Sequence, residues 1–371
     1  MKPLVALVAG ARPNFMKVAP VLRAIEEMQP AFSPVLVHTG QHYSPELSDV
    51  FFTQLGIRRP DVHLDVGSGT HGRQTARVLE AFEAFLLSAS PRIAAVMVVG
   101  DVNSTLAAAL AAAKLRTPVI HLEAGLRSFD RAMPEEINRL ATDAISDLLL
   151  ISEPAGEANL RNEGVPESRM RYVGNVMIDT LVHHLPAAAA YRTDGLPFAL
   201  VTLHRPSNVD APETLGAIVE FLGDIAGRVR VVFPAHPRTL AKLQEFGLLD
   251  RLTARGVDLI PPQGYIENLG MMRLAAFVLT DSGGIQEETS YLSVPCLTMR
   301  ENTERPSTLS SGSNTLVGLD FEKARALVDC ILAGKYRKSQ PIPGWDGRAA
   351  QRVVQAVAEL VRTLPCSTAA A

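Results

Sequence analysis

Apolar residues in this chain fall into short runs that alternate with stretches of helical spacing. Leu4–Ala9 is an apolar run closed by Gly10. Over 16–28, Val18, Leu22, Ile25 and Met28 recur at intervals of three and four, as on one face of a helix. Pro34–His38 is the next run, followed by an amphipathic pattern at 74–88. Runs at Val96–Val99 and Pro118–Leu122 flank an alanine-rich helix at 104–114. A helix from 134 and a run at Leu148–Ile151 follow. This alternation predicts a parallel sheet covered on both faces.

The pattern restarts after a loop at Gly174-Asn175. Residues 176–185 read as helix, and the alanine-rich stretch with Pro186, Gly195 and Pro197 reads as irregular. Phe198–Leu203, Val229–Pro234, Val257–Ile260 and Ala275–Thr280 read as strands, with a helix at 238–247. The expectation is an α/β chain of two Rossmann-like doubly wound domains, 1–173 and 174–346. A terminal helix over 347–365, with the stripe Val353, Val354, Val357, Leu360 and Val361, is free to pack back on the N-terminal domain. Residues 366–371 read as a disordered tail. A length of 371 residues suits two cores. Ligands of doubly wound sheets sit beyond the carboxyl ends of the strands. The loops after each strand, facing a cleft between two domains, are therefore where chemistry is expected.

Composition narrows the classes. Hydrophobic residues make up 47% and charged residues 20%, as in a soluble globular protein. A net charge of −3 without long runs of one sign disfavours bulk nucleic-acid binding. The cysteines, Cys296, Cys330 and Cys366, form no CxxC pair, so neither a zinc site nor a disulfide framework is indicated, and a cytoplasmic protein with reduced thiols is expected. The N-terminal apolar run is too short for a signal peptide, and no stretch is long and apolar enough to span a membrane.

Asp281-Ser282-Gly283-Gly284-Ile285-Gln286-Glu287-Glu288 directly follows a predicted strand. Paired glycines allow a tight turn and a close backbone approach, and the helix start offers N–H groups that suit a phosphate. Glu288, about one turn into that helix, is placed to accept hydrogen bonds from a ribose diol. The pattern is not GxGxxG, so no nicotinamide cofactor is expected. Neither HExxH nor an Asp-rich cluster is present, so no metal is expected either. Arg12 after the first strand suits bidentate phosphate contact, with Lys17 a turn further on. His38 and His42 flank Gly40-Gln41. His204-Arg205 and His236-Pro237 follow strands, and Glu304-Arg305-Pro306 lies beyond another.

Asp101, Glu123 and Glu135 stand at two strand ends and a helix start, a set suited to acid/base work. Each also has a plain structural reading. Asp101 can cap the helix that follows it. Glu135 and Glu136 are ordinary first-turn acids after Pro134, with Glu136 spaced to pair with Arg139.

Taken together, GARPNFMK, TGQH, HLEAGLRS, MPEEINR, VGN, HRP, DSGGIQEE and ENTERP resemble the non-hydrolysing UDP-N-acetylglucosamine 2-epimerases, in order from residue 10 to about 318. The resemblance implies a GT-B-like fold with the active site in the cleft between the two domains, and a UDP-sugar substrate. It also implies reversible inversion at C2 by anti elimination of UDP, through a 2-acetamidoglucal, with no cofactor and no metal. It places Asp101, Glu123 and Glu135 at the catalytic carboxylates, and His204 at a nucleotide contact grouped with them. Arg12, Ser282, Gly283, Gly284 and Glu288 fall at nucleotide contacts. Lys17, His42, Arg139 and Arg305 fall at supporting positions, and His236 joins the substrate-binding set. A homodimer without nucleic-acid or membrane partners, supplying surface polysaccharide synthesis, is expected.

Two departures stand out. Substrate-activated members read GQHREM and HRRE where this chain has Gln41-His42-Tyr43-Ser44 and His204-Arg205-Pro206-Ser207-Asn208, so weak or absent substrate activation is expected. GQHYSPELSDVFFTQLGI and GSGTHGRQT resemble a branch acting on UDP-2,3-diacetamido-2,3-dideoxyglucuronate, which makes that sugar a rival substrate. The other readings are a hydrolysing relative, a GT-B glycosyltransferase needing an acceptor, and a nucleotide-sugar sensor without catalysis.

Overall fold

The apolar runs become the parallel strands of two separate sheets in a computed structural model, which describes residues 2–40 and 55–364. The predicted tail and His42 lie outside the described residues. One unit comprises Met1–Thr180 with Pro343–Ala371, the other Leu181–Ile342.

In the first unit the elements run β1 Leu4–Ala9, α1 Arg12–Met28, β2 Ser33–His38, β3 Val62–His63, α2 His71–Ser88, β4 Ile93–Val99, α3 Asn103–Lys114, β5 Val119–Ala124, α4 Pro134–Ile145, β6 Leu148–Ile151, α5 Pro154–Asn162 and β7 Met170–Tyr172. The sheet order is β3-β2-β1-β4-β5-β6-β7 and every pairing is parallel. The strand order reverses at β1/β4, the point where such sheets receive ligands. Strands rich in Val, Ile and Leu are buried on both faces, as a covered parallel sheet requires. The alanines of α3, including Ala107, Ala108, Ala111 and Ala112, are fully buried and let α2 and the sheet approach closely.

Helix α1 begins four residues before the expected start. Pro13 suits a first turn, and the Asn14 side chain accepts from the N–H groups of Gly10 (3.1 Å) and Ala11 (2.9 Å). Strand β5 runs past its predicted end at Leu122. Its pairing with β6 skips from Leu122↔Leu150 to Ala124↔Ile151, so Glu123 is a bulge inside the strand rather than the residue after it.

Helix α6, Val176–Ala188, spans the division between the units and continues through Pro186, where irregular chain was expected. Proline there removes one backbone donor. The helix end is still closed by Ala189 N–H to Leu185 O (2.8 Å), and Leu181 and Ala188 pack with Leu269.

The second unit continues with β8 Phe198–Thr202, α7 Pro212–Ala226, β9 Arg230–Pro234, α8 Pro237–Glu245, α9 Leu249–Ala254, β10 Val257–Ile260, α10 Tyr265–Leu274, β11 Phe277–Thr280, α11 Gly283–Leu292, β12 Cys296–Thr298, β13 Asn314–Leu316 and α12 Phe321–Leu332. Its all-parallel order is β10-β9-β8-β11-β12-β13. Apolar clusters cover both faces, one around Phe221, Phe233 and Phe277, the other around Leu200, Met271 and Val278. Strands β12 and β13 are three residues each, too short to show a period.

The chain returns to the first unit at Pro343, and α13, Ala349–Thr363, packs along α1. Residues 174–180 and 343–346, which the pattern grouped with the second domain, cluster with the first. A Cβ on Gly174 would lie 2.0 Å from the Gly344 carbonyl oxygen, so the two glycines pack backbone to backbone. Asp179 accepts from the N–H groups of Ala349 (3.1 Å) and Ala350 (2.6 Å). Among the described residues no helix is long and apolar enough to cross a membrane. Two Rossmann-like units of alternating strand and helix make the architecture GT-B-like.

Candidate active site

Three ionic contacts organise Glu123, Asp101 and Glu136 of the first unit. Glu123 is buried, and its φ of +75° is in the left-handed region that a residue with a Cβ enters only at a cost. The bulge in β5 imposes that conformation. Its carboxylate is ion-paired with Lys17, itself buried on α1. Gly100, at the end of β4, lies against this pair. A Cβ there would be 3.2 Å from Lys17 Nζ and 3.4 Å from Glu123 Oε2, at a φ of +67°.

Asp101 follows directly. It does not cap α3, whose N-cap is Val102. Its carboxylate, 30% exposed, meets Arg139 from α4 instead. Arg139 is fully buried and also binds Glu136 through Nε (2.9 Å) and Nη2 (2.7 Å). Glu136 accepts in addition from Ser128 N–H (2.9 Å), Ser128 Oγ–H (3.0 Å) and Phe129 N–H (3.0 Å). Burial alone would raise the Glu136 carboxyl, but these donors and the Arg139 charge outweigh it and lower its pKa. Of the acidic pair after Pro134, Glu136 is thus the framework carboxylate. Glu135 is half-buried, with no hydrogen-bond or ion-pair partner among the described residues. Arg12 is the first residue of α1; its side chain lies outside the described atoms.

Residues the sequence did not single out complete this end of the sheet. Asn14 donates to Val99 O (2.8 Å), tying the loop after β1 to the end of β4. His121 and Asp143 are buried partners 2.6 Å apart. His38, which the sequence did offer alongside His42, is buried against Phe15 and His63, and burial lowers its pKa to about 4, which leaves it neutral.

In the second unit Asp281, fully buried, folds the loop after β8 onto the loop after β11. Its carboxylate accepts from His204 N–H (3.0 Å), Arg205 N–H (2.8 Å) and Asn208 Nδ2 (3.0 Å), and His204 Nδ1 lies 3.2 Å away. The two loops flank β8/β11, where this sheet's order reverses. Ser282 is the N-cap of α11 and makes no side-chain cap, so the first-turn N–H groups of Gly283 and Gly284 have no partner within the helix. His236 is exposed, at the start of α8, its ring 5.5 Å from that of His204.

Glu288 is buried and accepts a hydrogen bond from Tyr265 O–H (2.9 Å). Burial is the main cause of its pKa rising to about 7, with Glu287 adding to the rise and the Tyr265 bond opposing it. Arg305 lies behind the glycine turn, where a Cβ on Gly283 would be 2.8 Å from its Nη1. It is held by Glu287 (Nε to Oε1, 2.7 Å) and by Glu304, which Arg300 also binds (2.7 Å). Burial would raise the Glu304 carboxyl, but the two arginines hold it far below the usual range. Among the described residues no group of three or more His, Cys, Asp or Glu is arranged to hold a metal ion.

Comparison with known proteins places this arrangement. The family model described as UDP-N-acetylglucosamine 2-epimerase matches residues 23–358. A UDP-N-acetylglucosamine 2-epimerase of Methanococcus maripaludis is 40% identical over 365 residues, covering 95% of this chain and 98% of that protein. A UDP-2,3-diacetamido-2,3-dideoxy-D-glucuronate 2-epimerase of Pseudomonas aeruginosa is 41% identical, covering 95% and 99%. The solved structure of the Methanocaldococcus jannaschii UDP-GlcNAc 2-epimerase in complex with UDP-GlcNAc and UDP superposes with a TM-score of 0.87 at 39% identity, covering 96% of this chain and 99% of that one. A match over most of the chain, together with relatives this similar over nearly their whole length, shows that the protein belongs to the UDP-N-acetylglucosamine 2-epimerase family.

Proposed function

We propose that this protein interconverts UDP-N-acetylglucosamine and UDP-N-acetylmannosamine by inverting C2. A carboxylate removes the C2 proton. The freed electron pair forms the C1–C2 double bond, and the C1–O bond breaks with its electrons leaving on UDP. The 2-acetamidoglucal is then protonated at C2 from the opposite face, and a UDP oxygen rebonds to C1. No step as written is an oxidation, so the reaction needs no nicotinamide.

The observation that carries this reading is the state of Glu123. It is a buried carboxylate in a strained bulge, held against Lys17 beside the turn that presents Asp101. Strain and a buried charge are both costly and are retained where they serve chemistry. In this reading Asp101, Glu123 and Glu135 carry protons, with Arg139 and Lys17 steering two of them. The second unit takes the nucleotide. The N–H groups of Gly283 and Gly284, together with the Ser282 side chain and His204, meet the diphosphate, and Glu288 meets the ribose. Arg12, His42, His236 and Arg305 support substrate binding. A cytoplasmic homodimer feeding surface polysaccharide synthesis belongs to the same proposal.

The test is incubation with UDP-N-acetylglucosamine in D₂O without acceptor, followed by NMR. Deuterium at C2 with UDP-N-acetylmannosamine formed supports the proposal. Release of free N-acetylmannosamine would indicate hydrolysis. A second reading, epimerisation of the diacetamido-uronate sugar, is favoured by the 41% identity to the Pseudomonas aeruginosa protein. Exchange on that sugar and none on UDP-N-acetylglucosamine would replace the first reading with the second.

A further inference from the structure

A buried ionic network that the proposed reaction leaves unused lies next to both carboxylate turns of the first unit. His121, fully buried on β5, has Nδ1 2.6 Å from Asp143 Oδ1 and Nε2 2.8 Å from the carbonyl oxygen of Gly100. Asp143 Oδ2 also accepts from Gly125 N–H (3.0 Å) and meets Arg127 Nη2 (2.7 Å). Arg127 in turn binds Glu163 through Nε (2.8 Å) and Nη2 (2.7 Å). Burial alone would raise the Asp143 carboxyl, but the charges and hydrogen bonds of His121 and Arg127 outweigh it and lower its pKa.

A carboxylate faces one ring nitrogen of His121 and a carbonyl faces the other. A carbonyl accepts only, so Nε2 carries a proton and donates it to Gly100, while Nδ1 shares a proton with the Asp143 carboxylate.

Each end of the network holds a turn that bears a carboxylate. Gly100 immediately precedes Asp101 and touches the Lys17–Glu123 pair. Gly125 is two residues beyond Glu123, and Asp143 fixes its N–H while Gly125 takes a φ of +82°. One buried group therefore anchors Asp101 through Gly100 and, through Asp143, the far side of the Glu123 bulge.

We propose that His121 is a positioning residue for the epimerisation, a ring clamped between Asp143 and the Gly100 carbonyl that fixes the turns presenting Asp101 and Glu123. Its kinetic consequence rests on the proposed function; the clamp itself does not. His121→Gln keeps a donor near the Nε2 position and so the Gly100 contact. His121→Asn keeps one near Nδ1 and loses it.

In a native chain first shown to epimerise UDP-N-acetylglucosamine, His121→Asn is expected to lower kcat by about 100-fold, the scale of an ångström-sized misplacement, with KM within about twofold. His121→Gln should retain roughly a tenth or more of native kcat. Equal kcat in the two variants, or a change confined to KM, overturns the proposal. The second readout is the ¹⁵N NMR spectrum of the unliganded native chain, with the His121 ring assigned through backbone connectivity. It is expected to show a proton on Nε2, and a bare Nε2 overturns the proposal even where a variant fails to fold. A native chain inactive on UDP-N-acetylglucosamine but with Nε2 protonated refutes the assigned reaction and leaves the clamp standing.

Discussion

The ammonium of Lys17 on α1 is ion-paired with the carboxylate of Glu123 in the β5 bulge, 106 residues further along the chain, and both side chains are buried. Breaking such a pair from one side leaves an uncompensated charge in a poorly solvating site. Lys17→Met is therefore expected to cost about 3–5 kcal/mol of stability, read from denaturant unfolding. Adding Glu123→Gln to it should restore most of the loss. A single variant as stable as the native chain would show that water reaches the site.

Asp101→Asn should separate chemistry from folding. Arg139 remains held by Glu136, so the framework around the substitution persists. Epimerisation is expected to fall by about 10²–10⁴-fold, the usual worth of a positioned proton carrier, with little change in melting temperature. Deuterium incorporation at C2 measures it, and native exchange in Asp101→Asn would remove that residue from the proton path.

Glu288 predicts a pH dependence of stability. Its carboxyl rises from an ordinary 4.5 to about 7 in the fold, so the folded state binds the proton more tightly. The stabilisation from this group is fully present below about pH 4.5 and is lost as pH rises through about 7. Glu288→Gln lacks that loss. Its melting temperature relative to the native chain should climb across this interval, and a constant difference would contradict the assignment.

Two glycines should respond oppositely to alanine. A Cβ on Gly283 meets Arg305 and Glu304, which cannot retreat without breaking buried ion pairs. Gly283→Ala is expected to lose about 1–3 kcal/mol and to weaken UDP binding by calorimetry. On α7, a Cβ on Gly216 meets nothing within 4 Å. Gly216→Ala should gain about 0.5–1 kcal/mol, because alanine gives up less backbone entropy in a helix.

Initial rates against UDP-N-acetylglucosamine concentration are expected to follow a hyperbola. Gln41-His42-Tyr43-Ser44 and His204-Arg205-Pro206 lack the further arginines of the GQHREM and HRRE patterns. A sigmoid or a lag would show that other groups bind an activating molecule.

Local pattern determined much of this protein. The alternation of runs and helical stripes marks two doubly wound sheets, because strand and helix periods are written in neighbouring residues. The DSGG turn and the acids near strand ends were legible for the same reason, since loops at the carboxyl edges of a parallel sheet are set by where strands stop. Tertiary structure decided the rest. Asp101 reads as a helix cap until Arg139, 38 residues on, takes its carboxylate. Glu135 and Glu136 look equivalent in sequence, and only the donors gathered around Glu136 separate them. The bulge that forces Glu123 to a positive φ arises from its strand's register with β6, and the return of the chain at Pro343 from two glycines packed backbone to backbone. Each depends on residues far apart in the chain coming within a few ångströms. No local periodicity encodes such a meeting, because it follows from how whole elements pack.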